Sequence, residues 1–193
     1  MKICFASNNP NKIKELNDML GSSYKIIGLK DLGVKEDIPE TGSTLEENST
    51  IKAQYIFERF KIPVFADDSG LMVTSLNGEP GVFSARYAGP EKNDEKNIDL
   101  LLKNLGGAED RRASFETVIT LIQENGRSFQ FKGTVDGHII SEKRGTNGFG
   151  YDPIFVPEGH KRTFAEMTSD QKNALSHRNM AVKQLITHLQ SAL

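Results

Sequence analysis

The segment FADDSGL, residues 65–71, places two adjacent carboxylates, Asp67 and Asp68, after an apolar run and ahead of Ser69 and Gly70. Carboxylates at the carboxyl edge of a strand suit a divalent cation, and they are equally a common way to end a strand at a Ser-Gly turn. Upstream lie Glu40, Glu46 and Glu47, and Glu40 with Asp68 forms the candidate pair for Mg²⁺. That ion usually keeps several waters and takes its other ligands from substrate phosphates, so two carboxylates suffice. Any of these acids can instead be a helix cap or part of a solvated face. Successive side chains on a strand point to opposite faces, so only one of Asp67 and Asp68 can face a given site and the other needs a structural partner.

Three further stretches carry polar chemistry. SNNPNK, residues 7–12, turns an apolar strand into a helix, which presents backbone N–H groups and Lys12 to an anion such as a phosphate; the alternative is an Asn-rich turn with a cap. GFGYD, residues 148–152, sets Phe149 between glycines, a platform on which a planar base can stack, with Asp152 able to read a polar edge; the alternative anchors its aromatics in the core. KNALSHR, residues 172–178, brings Lys172, His177 and Arg178 to the start of the last helix. No Cys/His cluster has zinc spacing, and Ser43 and Ser69 lack the nucleophile-elbow pattern, so a covalent mechanism is not indicated.

The elements that must position these groups read as alternating strands and helices. Residues 2–6 form a buried strand, and Ile13, Leu16, Met19 and Leu20 fall at helical spacing before Gly21. A second strand covers residues 24–28. Thr44 and Glu47 form a capping-box pattern ahead of a long helix with an apolar stripe of Ile51, Tyr55, Ile56 and Phe60. Separate strands are expected up to Asp67 and over residues 71–74, then a helix from Asn93 to Gly106. Residues 113–122 and 127–135 flank Asn125-Gly126 as a long hairpin, with another strand at 138–140. The last helix, capped by Ser176, buries Ala181, Val182, Leu185, Ile186 and Leu189. The expected architecture is a single α/β domain over residues 1–193 with a mixed sheet, notched into two lobes by the hairpin.

Composition sets the outer bounds. With 193 residues, 37% hydrophobic and 26% charged, the chain can bury a substantial core. A formal charge of -2 gives no excess of positive charge for a nucleic-acid backbone, so an anionic ligand must be captured by local groups. The single cysteine, Cys4, sits in an apolar stretch as a buried thiol. Too few apolar residues follow the amino terminus for a signal peptide, no run approaches a membrane span, and a cytoplasmic location is expected.

In their order, SNNPNK, ETGSTLEENSTIKA, FADDSGL, PGVFSARYAG, GTNGFGYDPIF, FAEM and KNALSHR resemble the Ham1-type inosine triphosphate pyrophosphatases, from Ser7 to the final helix. The resemblance implies hydrolysis of ITP, dITP and XTP to the monophosphate and pyrophosphate. It also implies Mg²⁺, a homodimer, and an elongated mixed-sheet α/β fold of two lobes with a cleft between them. Carried across, the triphosphate-gripping turn falls on Ser7, Asn8, Asn9 and Lys12, the metal-associated acid on Glu40, and a phosphate-contacting lysine on Lys52. The proton acceptor and metal ligand falls on Asp68, with Ser69 beside the substrate and a basic contact at Arg86. The base-binding block falls on Phe149, Gly150, Tyr151 and Asp152, and the remaining contacts on Lys172, His177 and Arg178. Asn8 stands where many relatives carry glycine, and Asn11 is an extra amide. Competing readings are a Maf-type pyrophosphatase, against which GFGYD and SHR argue, and a nucleotide sensor without turnover, which Mg²⁺-dependent pyrophosphate release separates from an enzyme.

Overall fold

The structure, a computed structural model, describes residues 2–13, 16 and 25–191. Its strands are β1 (Lys2–Phe5), β2 (Lys25–Gly28), β3 (Val64–Val73), β4 (Arg112–Ile122), β5 (Ser128–Ile139) and β6 (Phe155–Pro157). Its helices are α1 (Leu45–Phe60), α2 (Asp94–Leu105), α3 (Ser169–Leu175) and α4 (His177–Ser191), with short 3₁₀ turns between them. The strands form one mixed sheet in the order β2-β1-β3-β4-β5-β6. β1 is parallel to β2 and β3, and β5 is antiparallel to β6. Among the described residues no helix is long and apolar enough to cross a membrane.

The chain divides into two compact units. The first comprises residues 1–68, 117–132 and 179–193, and the second residues 69–116 and 133–178. In the first, strand alternation sorts the core onto two faces. Cys4, Ala6, Val64 and Ala66 pack with Ala53 and Ile56 of α1. Ile3, Phe5 and Phe65 pack instead with Leu16 and with Ala181, Val182, Leu185 and Leu189 of α4, as the sequence periodicity predicts. Each such fully buried Leu, Ile or Phe contributes about 1.5–3 kcal/mol relative to an exposed one. The second unit gathers Leu71, Val73, Ile98, Leu101, Phe115, Phe155 and Phe164.

Several boundaries differ from expectation. Ser69 and Gly70 do not turn: β3 continues through them to Val73, so the strands expected before Asp67 and after Gly70 are one. Leu71 and Val73 keep the buried alternation going, and a side chain on Gly70 would run into the Gly81 carbonyl, so the glycine serves a close approach and not a bend. The strand expected at 138–140 is the end of β5, whose Gly137 lies against Phe155 and Val156. The Asn125-Gly126 hairpin forms as expected, with Gly126 at φ 79° and its N–H donating to the Gln123 carbonyl. Asn93 caps α2 and Gly106 ends it. Lys172 belongs to a separate short helix, α3, and Ser176 in extended conformation lies between α3 and α4. The helix after SNNPNK is described at residues 10–13 and 16, while its expected course through Met19 to Gly21, and Tyr24 of the second strand, lie outside the described residues.

Candidate active site

α1 supplies the centre of the first unit. Thr44 caps it by accepting the Glu47 N–H, and the Glu47 carboxylate accepts the Thr44 and Ser43 N–H groups in return. The buried stripe is Leu45, Asn48, Ser49, Lys52, Ala53 and Ile56, at the spacing of one helix face. The stripe is half polar. Ile51, Tyr55 and Phe60, read from sequence as its apolar members, are only half-buried, and the fully buried positions lie one step round the helix.

Those polar positions meet Asp68. On β3 it shares the face of Val64 and Ala66, the face packed on α1, so alternation aims it at that helix. Lys52 donates from Nζ to Asp68 Oδ1 at 2.8 Å and to Glu40 Oε1 at 2.7 Å. One turn earlier, Asn48 donates from Nδ2 to Asp68 Oδ2 at 3.3 Å. Burial raises the Asp68 carboxyl above its ordinary value, and the nearby Lys52 and Lys12 pull it back without cancelling the effect. For Lys52, burial works to lower the ammonium, but Asp68, Glu40 and Asp67 outweigh it and hold the pKa above its ordinary value.

Asp67 takes the opposite face, and its Oδ2 pairs with Lys12 Nζ at 2.8 Å. The partner required for the second aspartate is therefore a lysine of the SNNPNK turn. Asn9 organises that turn: its Oδ1 accepts the Asn11 and Lys12 N–H groups at 3.0 and 3.3 Å, and its own N–H donates to Ser7 Oγ at 3.2 Å. Asn8 is exposed. The capping alternative and the lysine thus coexist, with Lys12 held by Asp67.

The fit of a divalent cation to the first unit can be judged from Lys52. Its ammonium lies within hydrogen-bond distance of oxygens from both Glu40 and Asp68, so two hard anionic donors already converge on one positive charge. Among the described residues no group of three or more His, Cys, Asp or Glu side chains forms a metal cluster. Two carboxylates with water and phosphate suit Mg²⁺, which rarely takes an all-protein cage. The residues fit the ion.

In the second unit, Phe149 is half-buried, with Lys172 Nζ 4.7 Å and the Arg178 guanidinium 5.7 Å from its ring centroid. Arg178 Nη2 donates to Ser69 Oγ at 3.4 Å. His177 stacks on Phe115, centroids 4.9 Å apart. The loop around Phe149 is tied at three points. Asp152 Oδ2 accepts the Phe149 N–H at 2.9 Å and Lys172 Nζ at 2.7 Å. Asp94 Oδ2 accepts the Gly150 N–H at 2.7 Å. The buried Tyr151 donates its hydroxyl to the Ser84 carbonyl at 2.9 Å. Tyr151 thus anchors the loop in the core, one of the two alternatives open from the sequence, and Asp152 uses one carboxylate oxygen to shape the loop. Gly148, at φ 77°, leaves no room for a side chain above the Asp152 carboxylate. Arg86 ends a 3₁₀ turn, with its guanidinium 5.5 Å from the Phe83 ring.

Sequence reading missed Asn48 and Asp94. The capping-box spacing already placed Asn48 four residues after Thr44 and four before Lys52, which is the one available signal for it; Asp94 reads only as a first-turn acid.

Residues 3–188 match the Ham1 family. The dITP/XTP pyrophosphatase of Flavobacterium johnsoniae is 52% identical over 96% of this chain and 96% of its own. The solved structure of the Staphylococcus aureus Ham1 protein superposes with a TM-score of 0.92 at 44% identity, covering 100% of both chains. A HAM1 protein from Coxiella burnetii superposes with a TM-score of 0.91, also at 44% identity, over 99% of both chains. Matched by the family over residues 3–188 and by a relative about half identical along nearly its whole length, the chain belongs to the Ham1 family.

Proposed function

We propose that this protein hydrolyses non-canonical purine nucleoside triphosphates, dITP, ITP and XTP, to the nucleoside monophosphate and pyrophosphate. The observation that carries the reading is Asp68, a buried carboxylate gripped at one oxygen by Lys52 and at the other by Asn48, with Glu40 converging on the same lysine. The family supports the reading, since relatives that match nearly the full chain are named dITP/XTP pyrophosphatases.

In this reading Asp68 accepts a proton from a water that attacks the α phosphorus. The new bond joins the water oxygen to that phosphorus, and the bond to the bridging oxygen breaks, releasing pyrophosphate. No residue becomes covalently modified. Lys12 and Lys52 bind the β and γ phosphates and neutralise charge that grows on the leaving group. Glu40 and Asp68 are the residues that would hold Mg²⁺, which when bound supplies further charge neutralisation on the phosphates. Ser7, Asn8 and Asn9 shape the phosphate turn, and Ser69 and Arg86 add polar contacts to the substrate.

Phe149 stacks the base, with Gly150, Tyr151 and Asp152 holding the loop and Lys172, His177 and Arg178 completing the contacts. Donors such as Arg178 or a loop N–H favour the 6-keto oxygen of hypoxanthine and xanthine and leave the adenine amino group facing a donor. Following the family resemblance, the enzyme acts on the cytoplasmic nucleotide pool as a homodimer.

The test is pyrophosphate release from dITP, ITP, XTP, GTP, ATP and dTTP, with and without Mg²⁺, by the intact protein and Asp68→Asn. Selectivity for the first three that vanishes in the variant supports the reading. Equal turnover of all six, or an unaffected variant, overturns it.

A further inference from the structure

We infer that Asn48 is the positioning residue that sets Asp68 and the Glu40 loop in register with each other, an inference that rests on the reading of Glu40 and Asp68 above. Asn48 is completely buried, in the first turn of α1, on the buried stripe where an apolar residue would be the ordinary choice. Both ends of its amide are used. Nδ2 donates to Asp68 Oδ2 at 3.3 Å, and Oδ1 accepts the Gly42 N–H at 2.8 Å, two residues beyond Glu40.

The orientation of the amide follows from its partners. A backbone N–H needs an acceptor and an ionised carboxylate needs a donor, so only one of the two flips satisfies both. Gly42 makes the approach possible, because a Cβ there would stand 2.8 Å from Asn48 Oδ1 and 2.6 Å from the Glu47 Cβ. Lys52, one turn along the same helix face, takes the other Asp68 oxygen and Glu40 itself. α1 therefore fixes the direction of the Asp68 carboxylate at both oxygens and the loop that carries Glu40 at its backbone. Neither the apolar nor the anionic isostere does the same: leucine would strand the Gly42 N–H, and aspartate would keep that bond but set a negative charge against Asp68.

Groups that orient metal ligands without touching the metal typically change affinity or rate by about 10–100-fold when removed. The test compares the intact protein with Asn48→Ala and the isosteric Asn48→Asp. It measures Mn²⁺ binding without nucleotide, by loss of the free-ion electron paramagnetic resonance signal, together with kcat and KM for dITP and the melting temperature. Asn48→Ala is expected to weaken Mn²⁺ binding about 10-fold or more and to lower kcat about 10–100-fold, with KM within about threefold. Asn48→Asp is expected to lower kcat about 10-fold or more and, with two buried carboxylates facing each other, to melt earlier than the intact protein while still folding.

Variants that melt earlier but keep wild-type Mn²⁺ affinity and kcat reduce Asn48 to packing and overturn the inference. Should Asn48→Ala not fold, Asn48→Asp decides through Mn²⁺ affinity and kcat read together, and wild-type values of both overturn the inference. A wild-type protein that neither binds Mn²⁺ nor releases pyrophosphate overturns the reading of the two acids, and the role of Asn48 falls with it.

Discussion

Burial and two lysines pull the Asp68 carboxyl in opposite directions, and burial prevails. In metal-free protein its carboxyl carbon, followed by NMR, should titrate above the ordinary value of 3.8. Lys12→Gln removes one of the lowering charges, so it should move that midpoint up; a downward move would contradict the electrostatics described here. The stability sign follows from the same shift. The folded-state pKa lies above the unfolded one, so the group's contribution is full below the unfolded value and is lost as the pH rises through the folded value. Measured against Asp68→Asn, metal-free wild type should therefore lose melting temperature as the pH climbs through that range. For the reaction, Asp68→Asn should lower kcat about 10²–10⁴-fold, the usual contribution of a positioned proton acceptor, while nucleotide still binds.

At the scale of elements, β3 and the loop around Phe149 each rest on a few close contacts. Gly70 lets β3 run against the Gly81 carbonyl, with Gly81 C at 2.9 Å and Ser84 Oγ at 3.3 Å from where a Cβ would sit. Gly70→Ala should destabilise the protein by about 1–3 kcal/mol, readable in a chemical denaturation curve, since the neighbour is backbone and cannot step aside. Asp94 caps the Gly150 N–H from the first residue of α2. Asp94→Ala should raise KM for dITP about fivefold, as expected for the loss of about 1 kcal/mol of loop ordering, and change kcat much less. Steady-state kinetics distinguish this from a catalytic role. The caps and the hairpin were legible in the sequence because Thr44-Glu47, Asn93 and Asn125-Gly126 act on groups within a few residues. The length of β3 was not, because Ser69-Gly70 has turn chemistry locally and is overridden by contacts with residues 81–84.

Across the whole molecule, Cys4 reports on the core of the first unit. It is fully buried, and desolvation first, with the charge of Asp31 second, pushes its thiol up to about 12. Native protein at pH 8 should resist iodoacetamide and react only on unfolding, which mass spectrometry reads directly; rapid labelling of native protein would mean the β1 strand is not packed as described. The sequence by itself determined the α/β alternation, the apolar faces of β1 and α4 and the capped start of α1, since periodicity and caps are local properties. The resemblance carried by its ordered motifs also anticipated the family. Tertiary structure alone decided which aspartate meets which lysine, because strand parity says only that Asp67 and Asp68 part and not what each face holds. It also decided that Tyr151 and Asp152 shape a loop and that a buried stripe on α1 is half polar. Those assignments depend on groups tens of residues apart, Asn48 to Asp68 and Asp94 to Gly150, whose pairing is set by burial and hydrogen-bond satisfaction and leaves no periodic trace along the chain.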